Sequence, residues 1–287
     1  MKRAMLEVVA TGVVTEPATS RTRPATACAP PQIVAATTVA ALQWLGREDH
    51  AFVTWDRYHQ VYRPSPLGCA ALVSGFPPER CMAIHADLQR ARECIVLTSD
   101  LHLTFLCVSP TDDLIPDWRR LLQLVNSLQA SSTSSNVTPN PSHPLQRSSG
   151  KPEEMTDSER VGRRFWAALI LRDVLAEVDL QEISRKFGAA QGAIQGLQER
   201  SSRFASMLAA FCERLQWQDL EMLVSKFQAR VLQGVRPELL ALTEIPFVRN
   251  YTARKLYSAG LRSPDSIAAL EDETLLIEIL ARGSTGR

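Results

Sequence analysis

Apolar and polar positions follow two different periods along this chain. At the start, MKRAMLEVVATGVV places Met5, Val8, Val9 and Gly12 or Val13 on one face of a 3.6-residue turn, which predicts an amphipathic helix over 1–13. Glu7 interrupts the apolar run and no clear cleavage site follows, so the segment does not read as a secretion signal. Pro17, Pro24, Pro30 and Pro31 break the next stretch into a loop over 14–31. Helical spacing returns over 32–48, with Val34, Thr38, Leu42 and Leu45 as its apolar stripe. The period then drops to two: AFVTWD and HQVYRPS alternate on either side of Arg57–Tyr58 and predict a β-hairpin.

From there the pattern is helical almost to the end. Pro66 opens a stretch to about Val73, and Pro77-Pro78 opens another through PERCMAIHADLQRARECI. LTSDLHLTFLCVSP is densely apolar and reads as buried, and a short helix is predicted around Trp118–Leu128. Residues 129–157 are rich in Ser, Pro and Asn with almost no large apolar side chain. They cannot bury enough surface to offset the entropy of ordering, which predicts a disordered linker. Beyond it, RVGRRFWAALILRDVLAEV presents Phe165, Leu169, Val174 and Val178 on one face, and three more helical stretches follow. The predicted fold class is mainly α, with one small β-hairpin. No uncharged apolar run approaches 18 residues, so no membrane span is expected.

Composition narrows this picture only slightly. At 287 residues the chain has room for two or three units of roughly 100–150 residues. Apolar residues at 45% and charged residues at 22% are ordinary for buried cores. A net charge of +1 gives no overall pull toward polyanions, so any nucleic-acid affinity must come from local clusters. Lys occurs only at 2, 151, 186, 226 and 255, leaving Arg to supply nearly all the positive charge. The six cysteines form no C-x-x-C pair and have no His at ligand spacing, which predicts no metal site. Cys69, Cys94, Cys107 and Cys212 read as small buried hydrophobes in a reducing compartment.

No catalytic motif is legible. None of the lysines stands in G-x-x-x-x-G-K-[ST]: Lys151 follows Gly150, but Pro152 takes the hydroxyl position. H-E-x-x-H, G-x-S-x-G and an acidic D-E-x-[HD] run are missing too, so no catalytic residue is assigned and the chain is expected to be inactive alone.

Three segments point instead toward binding. In EISRKFGAAQGAIQGL, Ile183 and Phe187 close one helix, Gly188 allows a tight turn, and Ile194 and Leu197 pack the next helix back. That is helix-turn-helix spacing with Gln191 and Gln195 facing outward, and it is equally the spacing of an ordinary helical corner. The long run Gly192–Trp217 buries Ile194, Leu197, Phe204 or Ser201, Leu208, Phe211 and Leu215, and leaves Arg200, Arg203 and Arg214 on other faces. Arg beside an aromatic ring can grip single strands by phosphate pairing and base stacking, although a solvated face on a core helix has the same spacing. The third segment, IPFVRNYTARKLYSAGLR, carries Arg249, Arg254, Lys255 and Arg262 and no acidic residue. Two short helices around a basic turn suggest a helix-hairpin-helix, which holds a DNA backbone without reading sequence. Its usual turn has two glycines; here Phe247 and Arg249 stand there.

The strings ADLQRARECIVLTSDLHLTFLCVSP, FWAALILRDVLAEVDLQEISRKFGAAQGAIQGLQ and FASMLAAFCERLQWQDLEMLVSKFQARVLQGVRPEL resemble the helicase-like half of the DNA polymerase theta family. LYSAG followed by LRSPDSIAAL is similar to that family's closing helical motif, and the likeness covers most of 1–128 and 158–280. In that family two RecA-like motor domains precede a winged helix, a helical bundle with a DNA-contacting ratchet helix, and a helix-hairpin-helix. The resemblance implies a winged helix over 1–75, the bundle over 76–128 and 158–240, and the hairpin motif over 241–287. It also implies that the helix carrying Arg200, Arg203 and Phe204 is the ratchet, with Phe204 near where relatives place a base-stacking aromatic. The chain would then open inside the first winged-helix element, and ATP and magnesium would belong to motor domains outside it. The expected partner is single-stranded or branched DNA, in repair and in the nucleus, with repair proteins as further partners. A sequence-specific regulator built on Glu182–Leu197 and a protein-binding scaffold are the rival expectations.

Overall fold

A computed structural model of the chain describes residues 1–12, 31–94, 100–109, 114–131, 157–270 and 273–281. All but Pro31 of the predicted loop over 14–31 and residues 132–156 of the predicted linker over 129–157 lie outside the described residues; Pro31, 129–131 and Asp157 belong to helices instead. Among those described, fourteen α-helices, one 3-10 turn and one two-stranded hairpin make up the structure, so the mainly α expectation with a single hairpin holds. The chain divides into two compact units. One comprises Met1–Val96 with Ser206–Ser225, the other Leu97–Ala205 with Lys226–Arg287.

In the first unit, α1 (Lys2–Ala10) buries Met5, Leu6 and Val9, so the buried face is turned slightly from the expected one and Val8 is only half-covered. Helix α2 (Pro31–Leu45) buries Thr38, Leu42 and Leu45 as the stripe predicts, and stops three residues early. Strands β1 (Val53–Asp56) and β2 (Val61–Pro64) pair antiparallel, with Val53 opposite Pro64 and Asp56 opposite Val61. Phe52 joins these pieces: its amide donates to the Leu45 carbonyl at 3.0 Å and its carbonyl accepts from the Ser65 amide at 2.9 Å. Ser65 then caps α3 (Pro66–Ser74) by accepting from the Gly68 amide, and Gly75 ends that helix in the left-handed conformation. Along α4 (Pro78–Cys94), Cys81, Ile84, Leu88 and Ala91 fall on one face at three- and four-residue spacing. In the same unit Phe76 meets Phe211 edge to face, and Trp217 packs on His85 and under Arg92.

The second unit is built on α7 (Asp157–Leu175). A single apolar face is expected there, but Trp166 to Leu171 are buried at six successive positions, while Phe165 is only half-covered. Such a helix is a core element enclosed on every side. Helix α5 (Leu101–Cys107) packs on it and buries Leu103, Leu106 and Cys107; Arg164, itself 5% exposed, reaches back to the Leu106 and Val108 carbonyls at 3.0 Å each. Trp118 of α6 (Trp118–Ser131) lies over Gly162, where a β-carbon would stand 2.6 Å from the indole. Trp166 also meets Phe187 of α8 (Leu180–Phe187) edge to face. Helix α9 (Gln191–Arg214) contributes residues to both units, as does α10 (Gln218–Gln233), whose Leu220, Val224, Phe227 and Val231 are buried. A separate apolar cluster of Val235, Leu239, Leu242, Ala253, Leu256 and Leu261 holds the C-terminal elements. These are α11 (Leu240–Thr243), α12 (Asn250–Ser258), α13 (Pro264–Ala268) and α14 (Glu273–Ala281).

The cysteines correct one expectation. Cys107 and Cys212 are buried as predicted, but Cys69 is only partly covered and Cys94 is exposed, because Cys94 ends α4 away from its apolar face. Cys28 lies outside the described residues. No described helix is long and apolar enough to cross a membrane.

Candidate nucleic-acid interface

The α8–α9 corner forms as its sequence suggests. Asp179 caps α8, Ile183 and Phe187 are buried, and Gly188 closes the helix at φ +65°, a conformation open to Gly at little steric cost. The Ser184 hydroxyl donates to the Ala189 carbonyl at 2.7 Å and fixes the turn into α9. Ile194 and Leu197 are buried beneath the new helix, and Gln191 and Gln195 are exposed on its first two turns.

Further along α9, Arg200 and Arg203 are both exposed. The Arg200 guanidinium folds back over Gly196, its nitrogen 2.9 Å from where a β-carbon would stand. Arg203 lies 3.7 Å from Glu199 one turn earlier; both side chains are more than 70% exposed, so water screens the pair and it holds Arg203 only weakly. Phe204 turns the other way and is 8% exposed, with Ser201 and Ser202 also buried beside it. Its ring is covered by protein and offers no face to a base in this structure. Gln198 donates to the Val231 carbonyl at 2.9 Å and fixes the inner side of α9 to α10.

The basic C-terminal segment separates into two groups. Arg254 donates to Glu177 at 3.2 Å, and Lys255 donates to the Leu280 carbonyl at 2.7 Å while lying over the Tyr251 ring. Lys255 therefore satisfies a carbonyl at the end of α14, where the helix dipole favours a cation. Arg249 is exposed at the start of α12 and makes no side-chain cap there. Beside it Phe247 is fully exposed at φ +68°, and Tyr251 is 55% exposed.

One cluster was not legible in the sequence. Arg172, Arg230 and Arg236 line a cleft of the second unit with Asp100 and Glu238, drawn from segments more than 50 residues apart. Arg230 pairs with Asp100 at 2.8 Å, Arg172 with Asp173 at 3.0 Å, and Arg236 donates to the Ala176 carbonyl at 3.2 Å. Arg230 and Arg236 brace helix ends across long stretches of sequence, whereas Arg172 pairs with its own neighbour in α7, and no linear spacing announces the two braces.

Comparison with known proteins decides the family. Residues 78–231 match the model of the DNA pol Q helicase-like region helical domain, which is more than half of the chain. The chain belongs to this family. The polymerase-theta-type helical domain thus runs from α4 into α10. Mouse DNA polymerase theta is 33% identical over 216 residues, covering 73% of this chain and 8% of the mouse protein. The human helicase POLQ-like protein is 27% identical over 253 residues, covering 83% of this chain and 23% of the human one. The ATP-dependent DNA helicase Hel308 of Pyrococcus horikoshii is 32% identical over 121 residues, 42% of this chain and 17% of the archaeal protein. The chain thus spans less than a quarter of each of these relatives.

Proposed function

We propose that this chain grips single-stranded or branched DNA as the DNA-handling part of a polymerase-theta-type helicase region, in the nucleus and in the repair of broken ends by joining. Its membership of that family over 78–231 carries the reading. The exposed face of α9 supplies the chemistry, with Gln191 and Gln195 on its first turns and Arg200 and Arg203 further along. Phosphates would pair with the two guanidiniums, and Phe204 would hold the helix from beneath. Arg249 at the head of α12 offers a second phosphate contact, with Arg254 and Lys255 shaping the segment around it.

In this reading residues 1–75 form a winged helix with β1–β2 as the wing, 76–128 and 158–240 form the bundle, and 241–287 form a helix-hairpin-helix-like end. The grip is passive in this reading: none of the chain's lysines stands in a nucleotide-phosphate loop. Repair proteins are the expected further partners.

The test is fluorescence anisotropy of the 287-residue chain on labelled single-stranded, branched and duplex oligonucleotides across a salt series. Affinity for single-stranded and branched forms should exceed that for duplex and fall as salt rises. Arg200→Ala with Arg203→Ala should together weaken single-strand binding by about 1–3 kcal/mol. Unchanged affinity with an intact fold removes α9 as the gripping face. The exposed Gln191 and Gln195 after the Gly188 turn favour a second reading, a duplex-reading regulator, which preference for one duplex sequence would establish. Failure to bind DNA even at low salt would favour a protein-binding scaffold.

A further inference from the structure

The segment between α11 and α12 holds an arrangement that folding alone does not explain. The Ile245 carbonyl accepts from the Val248 amide at 3.1 Å, closing a four-residue turn with Pro246 and Phe247 at its centre. Ile245 and Val248 pack against the C-terminal apolar cluster and anchor both ends of the turn. Proline in the second position and a positive φ in the third are the marks of a type II turn, whose third residue is ordinarily Gly. Phe247 stands there instead, at φ +68° and 100% exposed. It carries both the strain of a left-handed backbone and the hydration of a whole aromatic ring. The anchored ends of the turn hold that backbone, but nothing among the described residues covers the ring. An outlier of this kind is a pointer to function.

Its neighbours say what the ring meets. Tyr251 follows four residues later and is 55% exposed, and the two rings line one open groove with Val248, Lys255 and Leu280. The Lys255 ammonium sits 4.6 Å from the centre of the Tyr251 ring, and Arg249 stands exposed between the two aromatics in sequence. From Ile245 to Arg262 the chain has four cations and no carboxylate, so the groove suits an aromatic ligand carried on an anionic backbone. Two amides of the segment are already engaged, that of Val248 with the Ile245 carbonyl and that of Tyr251 with the Asn250 side chain at 2.7 Å.

We propose that Phe247 and Tyr251 form a base-stacking platform for single-stranded DNA, with Arg249 placed to meet the strand's phosphate. The proposal rests on the DNA-gripping reading above and adds a second contact to it, one that recognises unpaired bases by their faces rather than a backbone by its charge. Stacking of this kind tolerates any sequence but requires the base to be unstacked from its neighbours. It therefore favours single strands over duplex.

The test compares the full chain with Phe247→Gly, Phe247→Trp and Tyr251→Ala on three labelled probes: a single-stranded oligonucleotide, the same strand with abasic sites throughout, and a duplex. Glycine suits a positive φ, so Phe247→Gly should fold at least as well as the natural chain, which a thermal melt checks. The expected result is about a tenfold loss of single-strand affinity for Phe247→Gly and a similar loss for Tyr251→Ala. Phe247→Trp should retain binding, and duplex and abasic probes should bind all four proteins alike. If the natural chain binds single strands and the variants match it, the platform is overturned while the α9 grip stands. An equal loss on abasic and base-containing strands also overturns it, since charge alone would then explain the contact. Loss of self-association in the variants without loss of DNA affinity would overturn it in favour of a protein-docking role. If the natural chain binds no DNA, both readings fall.

Discussion

Replacing Arg164 by Met removes one guanidinium from the inside of the second unit and nothing else of comparable size. The side chain is 5% exposed, donates to the Val108 and Leu106 carbonyls at 3.0 Å each, and lies 4.4 Å from the centre of the Phe105 ring. Both carbonyls belong to the end of α5, where the helix has run out of its own donors, and both residues are buried. Loss of a charged donor strands each carbonyl at about 1–3 kcal/mol. Removing the cation from the ring face adds up to about 2 kcal/mol at a desolvated site. Relief from burying a cation returns part of this, because methionine fills similar space without a charge. The net expectation is a destabilisation of about 3 kcal/mol. Arg164→Lys, which keeps the charge but not the fork, should fall between. Urea unfolding followed by tryptophan fluorescence reads the effect, since Trp166 lies buried two residues away. A shift below about 1 kcal/mol for Arg164→Met would refute the reasoning, because the two carbonyls would then be finding partners without it.

Two further outcomes test other parts of the structure. Gly68→Ala would place a β-carbon 2.1 Å from the Phe52 carbonyl oxygen, backbone that already accepts from Ser65; a loss of about 3 kcal/mol or failure to accumulate as folded protein is expected, read by thermal melting. Brief maleimide labelling of the native chain, located by mass spectrometry, should modify exposed Cys94 and spare Cys81, Cys107 and Cys212 until urea is added. Burial pushes the Cys81 and Cys212 thiols up to about 12, so thiolate is scarce at neutral pH as well as inaccessible.

The features legible in the sequence are those whose cause is local. Pro66 and Pro78 announce helix starts because a missing amide costs nothing there, and both helices begin on those residues. The switch from a helical period to a period of two around Arg57–Tyr58 places the hairpin, whose turn Asp56 ties by accepting from the Tyr58 and His59 amides and the Arg63 side chain. The His59 hydrogen bond holds that carboxyl well below its ordinary range, at about 2. Gly188 and the stripe Ile194–Leu197 give the α8–α9 corner. What was hidden depends on residues far away in sequence. The enclosure of α7 comes from neighbours such as α5 and α8, which no amphipathic period on α7 itself can report. Arg254 and Lys255 have the same local pattern as Arg249, yet their partners, Glu177 and the Leu280 carbonyl, lie 77 and 25 residues off. Phe204 follows the apolar stripe of α9, and the stripe, not the resemblance, describes its burial.

That division bears on how a chain of net charge +1 would hold a polyanion in the proposed role. Several of its arginines brace the fold instead: Arg164 and Arg230 are largely covered and reach the end of α5 and Asp100, while the more exposed Arg236 and Arg254 reach the Ala176 carbonyl and Glu177. Guanidinium suits this work because its fork can satisfy two carbonyls or a carboxylate at once and stays charged when covered. The exposed cations of the proposed interface are then few, with Arg200 and Arg203 on α9 and Arg249 before α12. Binding that released only a few counterions would be weak on charge alone at physiological salt. A grip of useful strength therefore needs a contribution that salt does not screen. The proposed stacking on Phe247 and Tyr251 is of that kind, and it would give a strained and fully exposed ring a use at a position where glycine would be the less strained residue for the fold.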